Sequence, residues 1–247
     1  MRFAAGLGEL DAVKSWFLAD GVLKPGAGAL ADPYGQELKY RGQSPFCCER
    51  ARLNILSQAL CFACVHNRLE VADFLLTRGA GSNAIVPGLD MKATVLHRVA
   101  TSPRFTRSEI ETAIRFLLDR GADPAIRDAV YHSTPIGWAG HFGQSDSIDL
   151  LIDRAGIRDA VTCDRPDRVR MLLARYPDLA NARDESGKTP LHHLHGALTH
   201  GIEMTELLAQ HHGDLDARDR QGVTVLANAI ASGAADLADR LRSLGAG

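Results

Sequence analysis

From Asp184 to Asp219 the chain runs in alternating polar and apolar blocks rather than strict residue-by-residue alternation. The first polar block holds Asp184 and Gly187, an acceptor side chain and a residue that tolerates positive φ, which together are turn chemistry. Thr189-Pro190-Leu191-His192 follows. The Thr189 hydroxyl can cap a helix whose first position, Pro190, needs no amide donor. The next apolar block, Glu203 to Gln210, carries Met204, Leu207 and Leu208 at three-to-four spacing, one apolar face of a second helix. A single pair of helices cannot bury that face, so the pattern requires neighbours of the same kind.

The neighbours are present. Residues 1–18 (Ala4-Ala5, Gly8, then Leu10, Val13, Trp16 and Phe17) read as the end of one helix, a turn and a second helix, a partial first repeat. Residues 19–50 break the pattern with Gly21, Pro25, Gly26, Gly28, Pro33, Gly35, Gly42 and Pro45, which predicts an irregular insertion. About six further repeats are expected over 51–247. Arg50 to Cys64 is helical, with Leu53, Leu56, Leu60 and Ala63 in register, and Asn67 stands where a turn glycine is usual. A second helix over 70–80 ends in Gly79 at a left-handed cap. The third repeat starts at Thr94-Val95-Leu96-His97 and continues after a long link (101–108) with a helix over 110–120. The fourth starts at Thr134-Pro135-Ile136-Gly137, with Ile148, Leu150, Leu151 and Ile152 in its second helix. The fifth, over 159–173, has no room for a full turn before it. The repeat at 184–212 is the sixth, with His212 where a glycine would end the helix, and the seventh (222–244) closes on a polar helix fit to cap the array.

The Thr-Pro-Leu-His start and its variants, the turn glycine and the Gly-Ala-Asp type of ending recur in order, and in this the chain resembles ankyrin-repeat proteins. The Asn-Ala-Arg-Asp motif at 181–184 and the arginine-rich composition are similar to bacterial members. The resemblance implies an all-α solenoid, a single ankyrin-repeat domain over 1–247, and a protein–protein interaction scaffold rather than an enzyme. In that family the histidine of the start motif is structural, which implies the same for His97 and His192. The turn tips and exposed ends of the first helices form a concave binding face. The positions of this chain that fall there include Arg127, Tyr131, His132, His141 and Phe142, then Arg183, Glu185 and Lys188, then Arg218 and Arg220.

Composition narrows the classes. Apolar residues make up 45% and charged residues 23% of the 247, the balance of a globular protein. A net charge of -2 gives no basic stripe for nucleic acid or anionic lipid. No apolar run approaches the ~20 residues that span a bilayer. Five cysteines without framework spacing fit a reducing compartment, so the expectation is a monomeric cytoplasmic protein whose partner is another protein, without nucleic acid or membrane.

Candidate chemistry is sparse. No nucleophile elbow, phosphate loop or His-Glu-x-x-His pattern occurs, so no catalytic residue and no cofactor are expected. His193, His195, His200, His211 and His212 add a local excess of imidazole, but no carboxylate or cysteine completes a metal-ligand set, and no metal is assigned. Cys61 and Cys64, spaced Cys-x-x-Cys, fall on packed helix positions, while Cys47-Cys48 lies upstream. Arg127, Arg183 and Arg218 share a repeat position, each directly before an aspartate. They read either as a row of guanidiniums for a partner's carboxylates or as pairs with nearby aspartates, the latter favoured. Two other functions stay open: a small-molecule pocket or atypical enzyme site where 19–50 folds over Cys61, Cys64 and His66, and a secreted effector acting on host proteins.

Overall fold

The computed structural model describes residues 1–24, 27, 49–85 and 92–247, with only the backbone of 49–51. Most of the irregular segment expected over 19–50, with Cys47 and Cys48, lies outside these residues. Two compact units are present, Met1–Ser147 and Ile148–Gly247. Each is a stack of antiparallel helix pairs joined by turns, so the fold class is the all-α, ankyrin-type one. Among the described residues β-structure is limited to the isolated bridges Phe17–Leu23 and Arg218–Thr224.

In the first unit α1 (Arg2–Leu7) pairs with α2 (Leu10–Lys14), α3 (Glu49–Val65) with α4 (Leu69–Thr77), and α5 (Val95–Ala100) with α6 (Arg107–Asp119). After α7 (Pro135–His141) comes α8 (Ser145–Leu151), within which the division between the units falls. The first helices stack α1 on α3, α3 on α5 and α5 on α7. Spacing explains the stack. Leu56, Leu60, Ala63 and Cys64 form one buried stripe of α3, and Ile110, Ala113, Ile114 and Leu117 one of α6. α6 begins three residues before the expected Ile110 because Thr106 and Glu109 form a capping box: the Thr106 amide donates to Glu109 Oε2 at 2.9 Å and the Glu109 amide to Thr106 Oγ1 at 3.4 Å.

The second unit has α9 (Ile157–Thr162), α10 (Pro166–Arg175), α11 (Gly201–Gln210), α12 (Val225–Ala231) and α13 (Ala235–Ser243). Its core runs from Ile157 through Leu173, Leu191, Met204 and Leu208 to Leu241. The helix expected to open the sixth repeat is replaced by a single 3-10 turn, Pro190–His193, after which Leu194 is extended. His192 and His195 therefore do not share a helix. Two contacts fix the chain beyond the break. Gly196 lies so close to Ala234 that a Cβ there would sit 3.2 Å from the Ala234 Cβ. The Thr199 and His200 amides are held by Asp164, at 3.0 Å to Oδ2 and 2.9 Å to Oδ1.

Residues with positive φ recur at turns between helices and where second helices end. Asn67 (φ 55) and Asp164 (φ 56) do at their turns what glycine does elsewhere, and His212 (φ 61) ends the helix of the sixth repeat in the strained conformation its sequence position implies. Asparagines clasp neighbouring repeats at equivalent places. The Asn83 amide group donates to Gly121 O at 2.8 Å and accepts from the Asp123 amide at 2.7 Å. Asn181 does the same with His212 O and the Asp214 amide, at 2.8 and 2.7 Å.

Candidate functional site

The candidate residues sit on turns that share one internal design. In the sixth repeat Asp184 Oδ1 accepts the amides of Ser186 and Lys188, at 2.8 and 3.0 Å. In the seventh, Asp219 Oδ1 accepts those of Gln221 and Val223, at 2.9 and 3.0 Å. In the fourth, Asp128 accepts three amides, Val130 (2.8 Å), Tyr131 (2.6 Å) and Ser133 (2.9 Å), and in addition the Trp138 indole N–H at 3.0 Å. This turn is one residue longer: the Asp128 amide closes on Ser133 O, where Asp184 closes on Lys188 O and Asp219 on Val223 O. The added residue carries Val130 and Tyr131 outward, while Asp128 itself is only 1% exposed. Burial raises the Asp128 carboxyl, and its donors Tyr131, Ser133, Trp138 and Val130 outweigh that, holding it below the usual carboxylate range.

The three arginines do something neither sequence reading anticipated. Arg127 Nη1 donates to His132 O at 2.9 Å, Arg183 Nη1 to Gly187 O at 2.7 Å, and Arg218 Nη1 to Gly222 O at 3.1 Å. Each carbonyl belongs to the positive-φ residue of the turn (His132 φ 50, Gly187 φ 77, Gly222 φ 80). Arg183 Nη1 also reaches Arg218 O at 2.7 Å, tying one turn to the next. The aspartate next to each arginine (Asp128, Asp184 and Asp219) is engaged by turn amides, and the guanidiniums brace the same turns from the carbonyl side.

The start-motif histidines join neighbouring repeats. His97 Nδ1 accepts from the Thr94 amide (3.3 Å) and hydroxyl (2.8 Å), which leaves Nε2–H to donate to Ser133 O at 3.0 Å. Burial lowers its pKa and favours this neutral tautomer. His192 makes the same set with Thr189 and with Val223 O, at 3.2 Å. In the fourth repeat, where Gly137 replaces the histidine, a Cβ would collide with Ser133 Oγ, and the turn is secured by Trp138 instead. Trp138 is a core residue, 4% exposed.

In the first unit His141 and Phe142 stand at the end of α7, with Phe142 against that indole, and Tyr131 and His132 sit on the turn whose Asp128 accepts the indole N–H. Tyr131 is 63% exposed and Phe142 49%. The Phe142 ring packs edge-on to His141 at 5.0 Å and to Trp138 at 6.4 Å between centroids. The Arg98 guanidinium lies 5.7 Å over the Trp138 ring. In the second unit Arg183, Glu185, Arg218 and Arg220 are exposed and Lys188 half-buried, a mixed-charge set without a large exposed apolar side chain among them. Beneath it, His193 Nε2 donates to Asp184 Oδ2 at 3.1 Å, with Arg158 at 3.9 Å from the same oxygen. Burial and Arg158 lower the His193 pKa to about 4, against the opposing pull of Asp184.

Other sequence candidates are placed as follows. Cys61 and Cys64 are buried in α3; burial pushes the Cys61 thiol up to about 12 and the Cys64 thiol further. His66 is exposed and its Nδ1 lies 2.8 Å from Phe62 O. Among the described residues no three His, Cys, Asp or Glu side chains gather as a metal site. The pocket considered beneath 19–50 falls outside the described residues. A shallow cleft of 380 Å³ between α11 and α13 is crossed by the Glu206–Arg240 ion pair (2.6 Å) and contains none of the candidates. No described helix is long and apolar enough to cross a membrane.

No family model and no curated protein sequence matches the chain. Among solved structures it is similar to the human ASB11 ankyrin repeat domain, at 22% identity over 98% of this chain and 96% of that one, with a TM-score of 0.48.

Proposed function

We propose that the protein is a protein-binding scaffold that presents its turn tips and the exposed ends of its first helices to a partner. Arg127, Tyr131, His132, His141 and Phe142 form the contact group of the first unit, and Arg183, Glu185, Lys188, Arg218 and Arg220 that of the second. The observation that carries this reading is the fourth-repeat turn. Two large, half-to-mostly exposed aromatic side chains, Tyr131 and Phe142, stand on a support locked by the four donors to Asp128. Exposed aromatics on a rigid scaffold are what interface anchors are made of, because little side-chain freedom is lost when a partner covers them. The mechanism is preorganised complementarity rather than bond chemistry.

The test is a quantitative comparison of proteins retained from the source lysate by the full chain and by its Arg127→Ala/Tyr131→Ala/Phe142→Ala form. A retained protein that is depleted on the variant at least about tenfold supports the reading, as truncating a hot spot demands. Equal retention by both forms refutes it.

A further inference from the structure

The sixth and seventh turns are built alike, and one docks on the other. In each, an aspartate accepts the amides two and four residues on, and an arginine donates to the carbonyl of the positive-φ glycine. The seventh turn meets the sixth through two backbone groups. Arg218 O accepts from Arg183 Nη1 at 2.7 Å, and the Arg220 amide donates to Ser186 O at 3.0 Å. Arg218 is bridged to Thr224, so the chain is extended there. The sixth turn thus supplies one donor and one acceptor. They are spaced to meet the C=O of residue i and the N–H of residue i+2 on one side of an extended segment, as in a parallel strand pair.

The seventh turn carries the same two groups. At the spacing that relates the two turns, Arg218 stands for Arg183 and Gln221 for Ser186. Arg183 Nη1 holds two carbonyls, each at 2.7 Å, whereas Arg218 Nη1 holds one, Gly222 O at 3.1 Å. Gln221 is exposed, and among the described residues nothing donates to its carbonyl. Because the turns share their internal hydrogen bonds, Gln221 O faces away from the sixth turn in the sense in which Ser186 O faces the seventh. The imidazole link is not repeated: Ala227 stands at the place of His192, whose Nε2 reaches Val223 O. This edge therefore suits a single extended segment rather than another repeat of the Thr-Pro-Leu-His kind.

The apolar residues beside it tell the same story. α12 packs on the 3-10 turn Pro190–His193, whose Leu191 is 1% exposed. Leu226, the counterpart of Leu191 on α12, is half-buried, and Ile230, four residues on along the same helix face, is 54% exposed.

Resting on the scaffold reading above, we propose that the outer edge of the seventh turn pairs with an extended segment of a partner protein that carries an apolar side chain. The Arg218 guanidinium donates to a C=O of the segment, and the N–H two residues further on donates to Gln221 O. The apolar side chain lies against Leu226 and Ile230. Main-chain hydrogen bonds set the register and the apolar contact gives selectivity, as in strand addition to a sheet edge. The contact that the sixth turn makes with the seventh is the pattern this pairing continues.

The experiment begins with selection of a displayed random dodecapeptide library on the full chain. Enriched peptides are titrated into the isotope-labelled protein, and the affected amides are located by NMR. The expected result is peptides with at least one Leu, Ile, Val or Phe whose shifts centre on residues 218–222 and α12. Methylating the one peptide amide that donates to Gln221 O should weaken binding by about tenfold, and methylating the next amide, which faces away, should weaken it less. Arg218→Ala should weaken binding by a similar factor, since it removes a charged donor. The methylated peptides leave the protein intact, so the test does not depend on how well the variant folds. Shifts centred on Tyr131 and Phe142, or an affinity indifferent to every methylation, would overturn the edge proposal while leaving the scaffold reading, which the lysate comparison decides. A library without enrichment would overturn the edge proposal as well. Shifts at 218–222 that grow with protein concentration alone would replace the partner segment with a second copy of this chain.

Discussion

Asp128 is the residue whose removal should damage the fourth repeat most for its size. The substitution Asp128→Ala deletes acceptors for four donors, at 2.6 to 3.0 Å. Of the donor residues, Ser133 is half-buried and Trp138 buried, whereas Val130 and Tyr131 are exposed. A buried donor left without an acceptor costs ~1–3 kcal/mol, whereas the amides of exposed Val130 and Tyr131 can turn to water at well under 1 kcal/mol each. The sum is about 4 kcal/mol. For a unit of this size that lowers the melting temperature by roughly 10 °C. The assay is thermal and urea unfolding by circular dichroism, with tryptophan fluorescence reporting on Trp138 and amide exchange on residues 130, 131 and 133. Asp219→Ala is the internal standard, since that carboxylate accepts two turn amides and no indole. Trp138→Phe removes one of the Asp128 donors, so its combination with Asp128→Ala should be less damaging than the two effects added. A loss for Asp128→Ala no larger than for Asp219→Ala, or full additivity with Trp138→Phe, would refute this reasoning.

Other outcomes follow from the same geometry. Arg183→Ala, which loses two carbonyl contacts at 2.7 Å, should cost about 1–2 kcal/mol and more than Arg218→Ala, measured by urea unfolding. The His193 pKa, lowered to about 4 in the fold, faces Arg158 from α9 and Asp184 and Lys188 from its own turn. A folded pKa below the unfolded value of about 6.5 means that its contribution is complete above pH 6.5 and is lost as the pH falls toward 4. His193→Gln should therefore flatten the stability profile across that window, by on the order of 3 kcal/mol, and an unchanged slope would contradict the assignment. Leu96→Ala, at a site 1% exposed between stacked first helices, should cost about 2–5 kcal/mol in the same unfolding assay. Tyr131→Ala/Phe142→Ala should leave the melting temperature within about 2 °C of the parent, because surface truncations away from structural features change stability little.

The sequence alone carried the all-α helix-turn-helix pattern. Turn residues, Thr-Pro starts and three-to-four apolar spacing are local signals, since each acts within one or two helical turns of its own residue. For that reason α4, α7, α12 and α13 and the positive φ at Asn67 and His212 were legible from the chain. The second helix of the third repeat was legible too, but not its start, because the Thr106–Glu109 box that opens it lay in what read as a link.

Tertiary structure decided what depends on residues far apart in the chain. The sixth repeat has a 3-10 turn in place of its first helix, Gly196 packs beside Ala234, and Asp164, 35 residues away, accepts the Thr199 amide; nothing within 190–200 announces either contact. The arginine row looked like charge for a partner or for a nearby aspartate. Whether a guanidinium finds a carboxylate or a carbonyl depends on where the turn folds its backbone, and here the carboxylates were already taken by amides. The same holds for the candidate surface. Tyr131 and Phe142 could be named from repeat position, but that one buried carboxylate holds both the turn beneath Tyr131 and the indole behind Phe142 is a fact of three dimensions, because a hydrogen bond is set by distance and direction rather than by order in the chain.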